Sequence, residues 1–124
     1  MYFFFCELFI GMSIRTHYLE NQRICILELL GNFNVDMSNQ CLSLVQELPA
    51  SVTRICLDMA GIIEIDASLF STLLILHQEH PLPDGIHVIF CSRQIARALS
   101  LSGVDRLVSV RVDEKLAMDT DAVP

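Results

Sequence analysis

The chain has 124 residues, of which 52% are apolar and 19% are charged, a composition typical of a single globular domain rather than a disordered chain. Its fifteen Asp and Glu residues outnumber its eight Lys and Arg residues, giving a formal net charge of −7, which argues against direct nucleic-acid binding. Its five cysteines, without a CxxC pair, favour reduced thiols in a cytoplasmic protein over a disulfide framework or a zinc site.

The first eleven residues, MYFFFCELFIG, form an apolar run that Glu7 interrupts. The run is too short to cross a membrane and no basic residues precede it, so we expect no stable membrane insertion. It is a segment on a membrane surface, an added strand, or sequence upstream of a true start at Met12, and we favour the last. We therefore expect an N-terminal extension at 1–12, a domain at 13–118 and a C-terminal tail at 119–124.

Segments with the apolar pattern of strands alternate along the chain with segments of helical spacing. Turn signals separate them: GNFN after Leu30 predicts a turn, and AGIIEID after residue 59 predicts a loop. Strands are predicted at residues 14–20, 23–30, 53–59, 86–91 and within 106–112.

The first predicted helix starts near Met37, where Asp36 or Ser38 can cap it, and Pro49 ends it. Its apolar face is formed by Met37, Cys41, Leu44, Val45 and Leu48.

The second predicted helix follows Asp66 and ends at the sequence HPLPDG. Its predicted buried face consists of Phe70, Leu73, Leu74 and His77. Leu69, Thr72 and Leu76 would then lie on the opposite face. There they indicate either a docking patch or a surface that a terminal segment covers.

The third predicted helix is capped by Ser92, carries Ile95 and Leu99 on its apolar face, and ends at Gly103. Residues 113–118 are predicted to add one helical turn. This alternation predicts an α/β domain with a mixed, mostly parallel sheet of four to five strands and helices packed against it. Right-handed crossovers should make the strands at 23–30, 53–59 and 86–91 parallel.

No group of residues predicts catalysis, a cofactor or a metal site. The glycine-rich phosphate-binding motifs are absent. Ser68, His87 and Asp66 are not embedded in a nucleophile motif, and His77 and His80 lack further ligands at a diagnostic spacing. Cys91 is better explained as a core thiol than as a nucleophile.

Asp66-Ala67-Ser68 stands at the start of the second helix, and two interpretations are open. In the first, these are ordinary residues of a helix start, with Asp66 as the cap. In the second, Ser68 accepts a phosphate, which the positive end of the helix tolerates. The phosphate would add about −1.5 to −2 charges beside Glu64 and Asp66 and so change the partner without refolding the domain.

Three stretches together resemble the STAS domains of anti-sigma factor antagonists, over roughly residues 15–112. They are RICLDMAGIIEIDASLFSTLL, LLGNFN upstream of it, and VIFCSRQIARALSLSGVDRLVSV downstream. The resemblance implies a regulatory binding protein without catalysis of its own. Such a protein sequesters an anti-sigma factor, often a GHKL-type serine kinase, and so regulates sigma-dependent transcription; a PP2C-type phosphatase resets it.

The resemblance implies that Ser68 is the phosphorylated serine. It also implies a partner-binding face formed by Asn32, Asn34, Asp66, Ala67, Ser68, Leu69 and Thr72. This chain departs from the family pattern where Ala67 replaces a serine, Leu69 a glycine and Asn34 an aspartate. Leu69 would stand beside the acceptor, where it would either obstruct a kinase or create a different partner preference. The alternative is the STAS subunit of a lipid-trafficking ABC transporter, a partner of its ATPase, against which the serine at position 68 argues.

Overall fold

A five-stranded sheet and three α-helices make up residues 13–112, the part of the chain that the computed structural model describes. The predictions for residues 1–12, 113–118 and 119–124 concern segments outside this range. The elements in chain order are β1 (Ile14–Leu19), β2 (Ile24–Phe33), α1 (Val35–Gln46), β3 (Arg54–Ile65), α2 (Ser68–Glu79), β4 (Ile86–Cys91), α3 (Arg93–Ser102), a 3-10 turn (Val104–Arg106) and β5 (Ser109–Val112).

The strands lie in the sheet in chain order, from β1 to β5. β1 is antiparallel to β2, whereas the other neighbouring pairs are parallel. A helix separates the two members of each parallel pair in the sequence, as a parallel connection requires. These findings confirm the predicted α/β class and the mostly parallel sheet.

Strands β2 and β3 are both longer than predicted. The predicted turn at GNFN is wrong, because residues 31–33 continue β2, and the predicted loop after residue 59 is wrong, because β3 runs to Ile65. The two extensions pair with each other, ending with Phe33 opposite Ile65. Each segment therefore supplies hydrogen-bonding partners for the other's backbone. Gly31 (φ +101°) lies at a register shift in this ladder, where a positive φ is accessible to glycine.

The core lies between the helices and one face of the sheet, and Leu27, Leu57 and Val88 on neighbouring strands are fully buried within it. The described cysteines are free and buried: Cys25, Cys41, Cys56 and Cys91. Burial raises the pKa of each thiol, to about 11 at Cys25 and about 12 at Cys41. They are therefore protonated at neutral pH and act as small apolar side chains.

The face of α2 that meets the core differs from the predicted one. Leu69, Thr72, Leu73 and Leu76 are fully buried, Leu74 is 40% exposed and His77 is exposed. Both faces have the same helical spacing, because the apolar residues of α2 are spread around the helix axis. The observed rotation leaves the imidazole of His77 in water and buries Thr72, whose hydroxyl donates to the Ser68 carbonyl oxygen (2.6 Å).

The close contact between the two long strands should make Gly61 sensitive to substitution. A Cβ at this position would lie 2.9 Å from the Leu29 carbonyl oxygen and would clash with Leu30 Cδ2. We expect Gly61→Ala to lower the free energy of unfolding by about 1–3 kcal/mol, because the strands must separate to admit the methyl group. Urea denaturation of this variant, with the exposed Ala60→Ser as control, measures the effect. Equal stability of Gly61→Ala and wild type would contradict the prediction.

Candidate functional site

The ends of β2 and β3 bring two predicted site residues together. Phe33 pairs with Ile65, and the backbone N–H of Asp66 donates to the Phe33 carbonyl oxygen (3.1 Å). Asn34 and Asp66 follow these paired residues directly. The C-terminal ends of parallel strands share one edge of a sheet, which is where such folds bind ligands. α1 and α2 therefore begin side by side at this edge.

The carboxylate of Asp66 organises the first turn of α2. Its Oδ1 accepts hydrogen bonds from the Ser68 backbone N–H (2.8 Å) and from the Ser68 hydroxyl. Ala67 already has helical backbone angles (φ −61°, ψ −17°), so Asp66 is the side chain that satisfies the free N–H at this helix start. The hydroxyl of Ser68 and then its N–H lower the pKa of Asp66. The carboxylate is thus ionised at neutral pH.

Asn34 has the corresponding role at the start of α1. Its side-chain oxygen accepts from the Met37 N–H (3.1 Å), and its carbonyl oxygen accepts from the Ser38 N–H (2.9 Å). The prediction that Asp36 or Ser38 caps this helix is therefore wrong. Asn34 is the better cap because it precedes the first helical residue, with an extended backbone.

Five of the predicted partner-binding residues lie together on the accessible surface where β2 and β3 end. Asn32, Asn34, Asp66 and Ala67 are exposed and Ser68 is half-buried. Beside them lie the exposed Glu64 and Ile63, the latter 78% exposed. Together these residues form the surface that we call the strand-end surface: Asn32, Asn34, Ile63, Glu64, Asp66, Ala67 and Ser68.

The predicted exposure of Leu69 and Thr72 is wrong, because both side chains are fully buried under α2. They cannot contribute side-chain contacts to the strand-end surface while the helix is packed. Leu69 also does not stand beside the Ser68 hydroxyl as an exposed obstacle. The expected docking patch on this side of α2 fails for the same reason, since Leu76 is buried as well.

Sequence reasoning missed a pair of buried hydroxyls behind the site. Ser38 Oγ of α1 lies 2.5 Å from Thr72 Oγ1 of α2, and the two side chains are 8% and 0% exposed. Thr72 in turn bonds to the Ser68 carbonyl oxygen. The available signal was the position of Ser38 beside Met37 and three residues before Cys41, on the apolar face of α1.

The site offers a hydroxyl held by an exposed carboxylate. Across residues 13–112, no cluster of three or more His, Cys, Asp or Glu side chains is arranged to hold a metal ion. Over the same range, no helix is long and apolar enough to cross a membrane. The chemistry available at the strand-end surface is hydrogen bonding, apolar contact and modification of the Ser68 hydroxyl.

The fold is similar to those of three solved anti-sigma factor antagonists. The unphosphorylated form of SpoIIAA has a TM-score of 0.68 at 12% identity, over 90% of this chain and 99% of that one. An antagonist from Mycobacterium paratuberculosis has a TM-score of 0.63 at 14% identity, over 86% and 93% of the two chains. A Thermotoga maritima protein assigned as an antagonist has a TM-score of 0.63 at 16% identity, over 89% and 95%. At these identities the likeness is one of fold.

No protein-family model matches this chain, and no curated protein matches it in sequence. The structural comparisons confirm the predicted STAS-type fold.

The hydrogen bonds at Asp66 predict a pH effect that depends on Ser68. Ser68→Ala removes the largest cause of the lowered pKa, so the pKa of Asp66 should rise toward its ordinary value. A lowered pKa in the folded state stabilises the protein above the unfolded-state pKa, and this stability is lost as the pH falls through the folded-state value. The variant should thus lose less stability on acidification. Carbon-13 NMR titration of the Asp66 carboxyl measures the shift, and Ser71→Ala should leave it unchanged.

The buried hydroxyl pair predicts a non-additive effect on stability. Thr72→Val keeps the branched shape but leaves the Ser38 hydroxyl buried without its hydrogen-bond partner, which should cost about 1–3 kcal/mol of unfolding free energy. Adding Ser38→Ala removes the unpaired group and should restore part of the loss. Urea denaturation of the four proteins of this double-mutant cycle tests the pair. Additive losses would show that the two hydroxyls do not interact.

Proposed function

We propose that this chain is an anti-sigma factor antagonist whose strand-end surface binds an anti-sigma factor, sequestering it from its sigma factor. The observation that carries the proposal is the Ser68 hydroxyl, held by Asp66 at an accessible helix start beside Asn34. The likeness in fold to three antagonists supports it. Phosphorylation of Ser68 would release the partner and so regulate sigma-dependent transcription.

The effect of a phosphate follows from the hydrogen bonds at the site. The Ser68 hydroxyl donates its single proton to Asp66, and a phosphoester oxygen has no proton to donate. Phosphorylation would therefore break this bond and place about −1.5 to −2 charges beside the Asp66 carboxylate and the exposed Glu64. The positive end of α2 offsets part of the repulsion, so the helix can persist while its surface changes.

A modest change in binding free energy is sufficient for such a switch. A hundredfold loss of affinity corresponds to about 2.7 kcal/mol. Breaking a hydrogen bond to a charged group and adding a misplaced charge at an interface are each of this order. The burial of Leu69 supports access to the acceptor, because its side chain is turned away from the surface that a kinase would approach.

The partners in this proposal are proteins, and the setting is the cytoplasm, where sigma factors act. The anti-sigma factor would be the kinase if it is of the GHKL type, and a PP2C-type phosphatase would remove the phosphate. The chain's net charge of −7 is consistent with a protein partner rather than direct contact with nucleic acid.

Affinity capture with three forms of the full chain tests the proposal. Wild type and Ser68→Ala should retain an anti-sigma factor identified by mass spectrometry, whereas Ser68→Asp should bind it at least tenfold more weakly, about 1.4 kcal/mol. The matched control is Ser71→Asp, which adds the same charge to an exposed position one turn further along α2. Mass spectrometry of the protein from cells should find phosphate on Ser68. Equal capture by wild type and both Ser68 variants would refute the phosphorylation switch.

A further inference from the structure

We propose that Ser38 and Thr72 position the two halves of the strand-end surface, coupling the start of α1 at Asn34 to the start of α2 at Ser68. This inference deepens the proposed function and rests on it for the role of the strand-end surface in binding a partner. Its structural basis is a continuous set of hydrogen bonds that runs behind the surface, through the core.

The direction of the hydrogen bonds is fixed by counting protons. The Ser68 carbonyl oxygen can only accept, so the single hydroxyl proton of Thr72 is used in the bond to it. Thr72 Oγ1 must then accept from Ser38, although the contact between the two hydroxyls alone leaves the donor open. Ser38 therefore donates to Thr72, and Thr72 donates to the backbone of Ser68.

The same set of bonds reaches Asn34 at its other end. The Ser38 backbone N–H donates to the Asn34 carbonyl oxygen, and the Asn34 side chain accepts from the neighbouring Met37 N–H. A displacement of the first turn of α2 therefore pulls on the first turn of α1. Asn34 is one of the exposed residues of the strand-end surface, so such a displacement would alter the surface itself.

The location of the pair makes it suited to positioning. Among the described residues, Ser38 and Thr72 are the only buried polar side chains, and they join the two helices at the ends that carry the surface. The remaining contacts between the helices and the core are apolar, and apolar contact is non-directional. A hydrogen bond that water cannot replace defines one relative placement of the two helix starts.

Two-dimensional nitrogen-15 NMR of the isolated full chain tests the coupling without any partner. Ser68→Asp is introduced into wild type, Thr72→Val, Ser38→Ala and Thr72→Ser. The changes that it causes in the amide shifts of Asn34, Met37 and residue 38 are followed in each background. We expect Ser68→Asp to shift these amides in wild type and in Thr72→Ser, which keeps the hydroxyl. In Thr72→Val and Ser38→Ala the shifts should be at least halved. A role in stability alone would lower the unfolding midpoint of those variants without changing the response to Ser68→Asp.

Equal shifts in all four backgrounds, or no shift at Asn34, Met37 and Ser38 in wild type, would overturn the coupling. If Thr72→Val fails to fold, Ser38→Ala gives the same information, because it removes the donor and leaves Thr72 bonded to Ser68. The backbone bond from Asp66 to Phe33 is present in every variant, so it cannot cause a difference between them. Loss of coupling would leave the affinity-capture result standing, and failed capture with intact coupling would refute the proposed function alone.

Discussion

The parallel pairing of β2 and β3 as far as Phe33 and Ile65 is the constraint on which the rest of the structure depends. It brings the ends of two neighbouring strands to the same level, and the bond from Asp66 to Phe33 closes the ladder there. Both helices that follow must therefore begin side by side. Had either strand ended where its sequence first suggests a turn, Asn34 and Asp66 would belong to separate loops without a fixed distance between them.

The second constraint is the need to satisfy polar groups in an apolar core. Burying Thr72 is tolerable because its hydroxyl has the Ser68 carbonyl as an acceptor and Ser38 as a donor. The same hydrogen bonds offset the cost of burying Thr72 and link the core to Ser68, the residue proposed as the phosphate acceptor. The hydroxyls of Ser38 and Thr72 therefore contribute both to the packing of the core and to the organisation of the surface.

The parts of the fold that the sequence predicts well depend on local signals. The bounds of β4 are as predicted, and α3 begins after the Ser92 cap and ends at Gly103 with a left-handed backbone (φ +83°). The extensions of β2 and β3 were not predictable in this way, because each is stabilised by the other across some thirty residues of chain. Gly31 and Asn32 are residue types typical of a turn, and only their pairing with β3 makes them part of a strand.

The candidate site was predicted in part for a related reason. Asp66 and Ser68 are residue types that indicate a helix start. Asn34 was named only through the resemblance to STAS domains, because the residue pattern indicated Asp36 or Ser38 as the cap of α1. The rotation of α2 was ambiguous because SLFSTLLILHQE is apolar on nearly every side, and only the cost of burying His77 and the partners available to Thr72 decide it. The exposed or buried state of Leu69 follows from that rotation alone.

If Ser68 is the phosphate acceptor, as proposed, the way in which it is held determines how a kinase would recognise it. Its N–H donates to Asp66 and its carbonyl oxygen accepts from Thr72. The backbone of Ser68 is therefore fixed in a helical turn, and only its hydroxyl is free to change its hydrogen-bond partner. A kinase that acts on the folded domain would meet the first turn of a helix rather than an extended peptide. It would have to recognise residues that the ends of β2 and β3 bring together. A synthetic peptide with the sequence around Ser68 would therefore lack most of the surface that the kinase recognises.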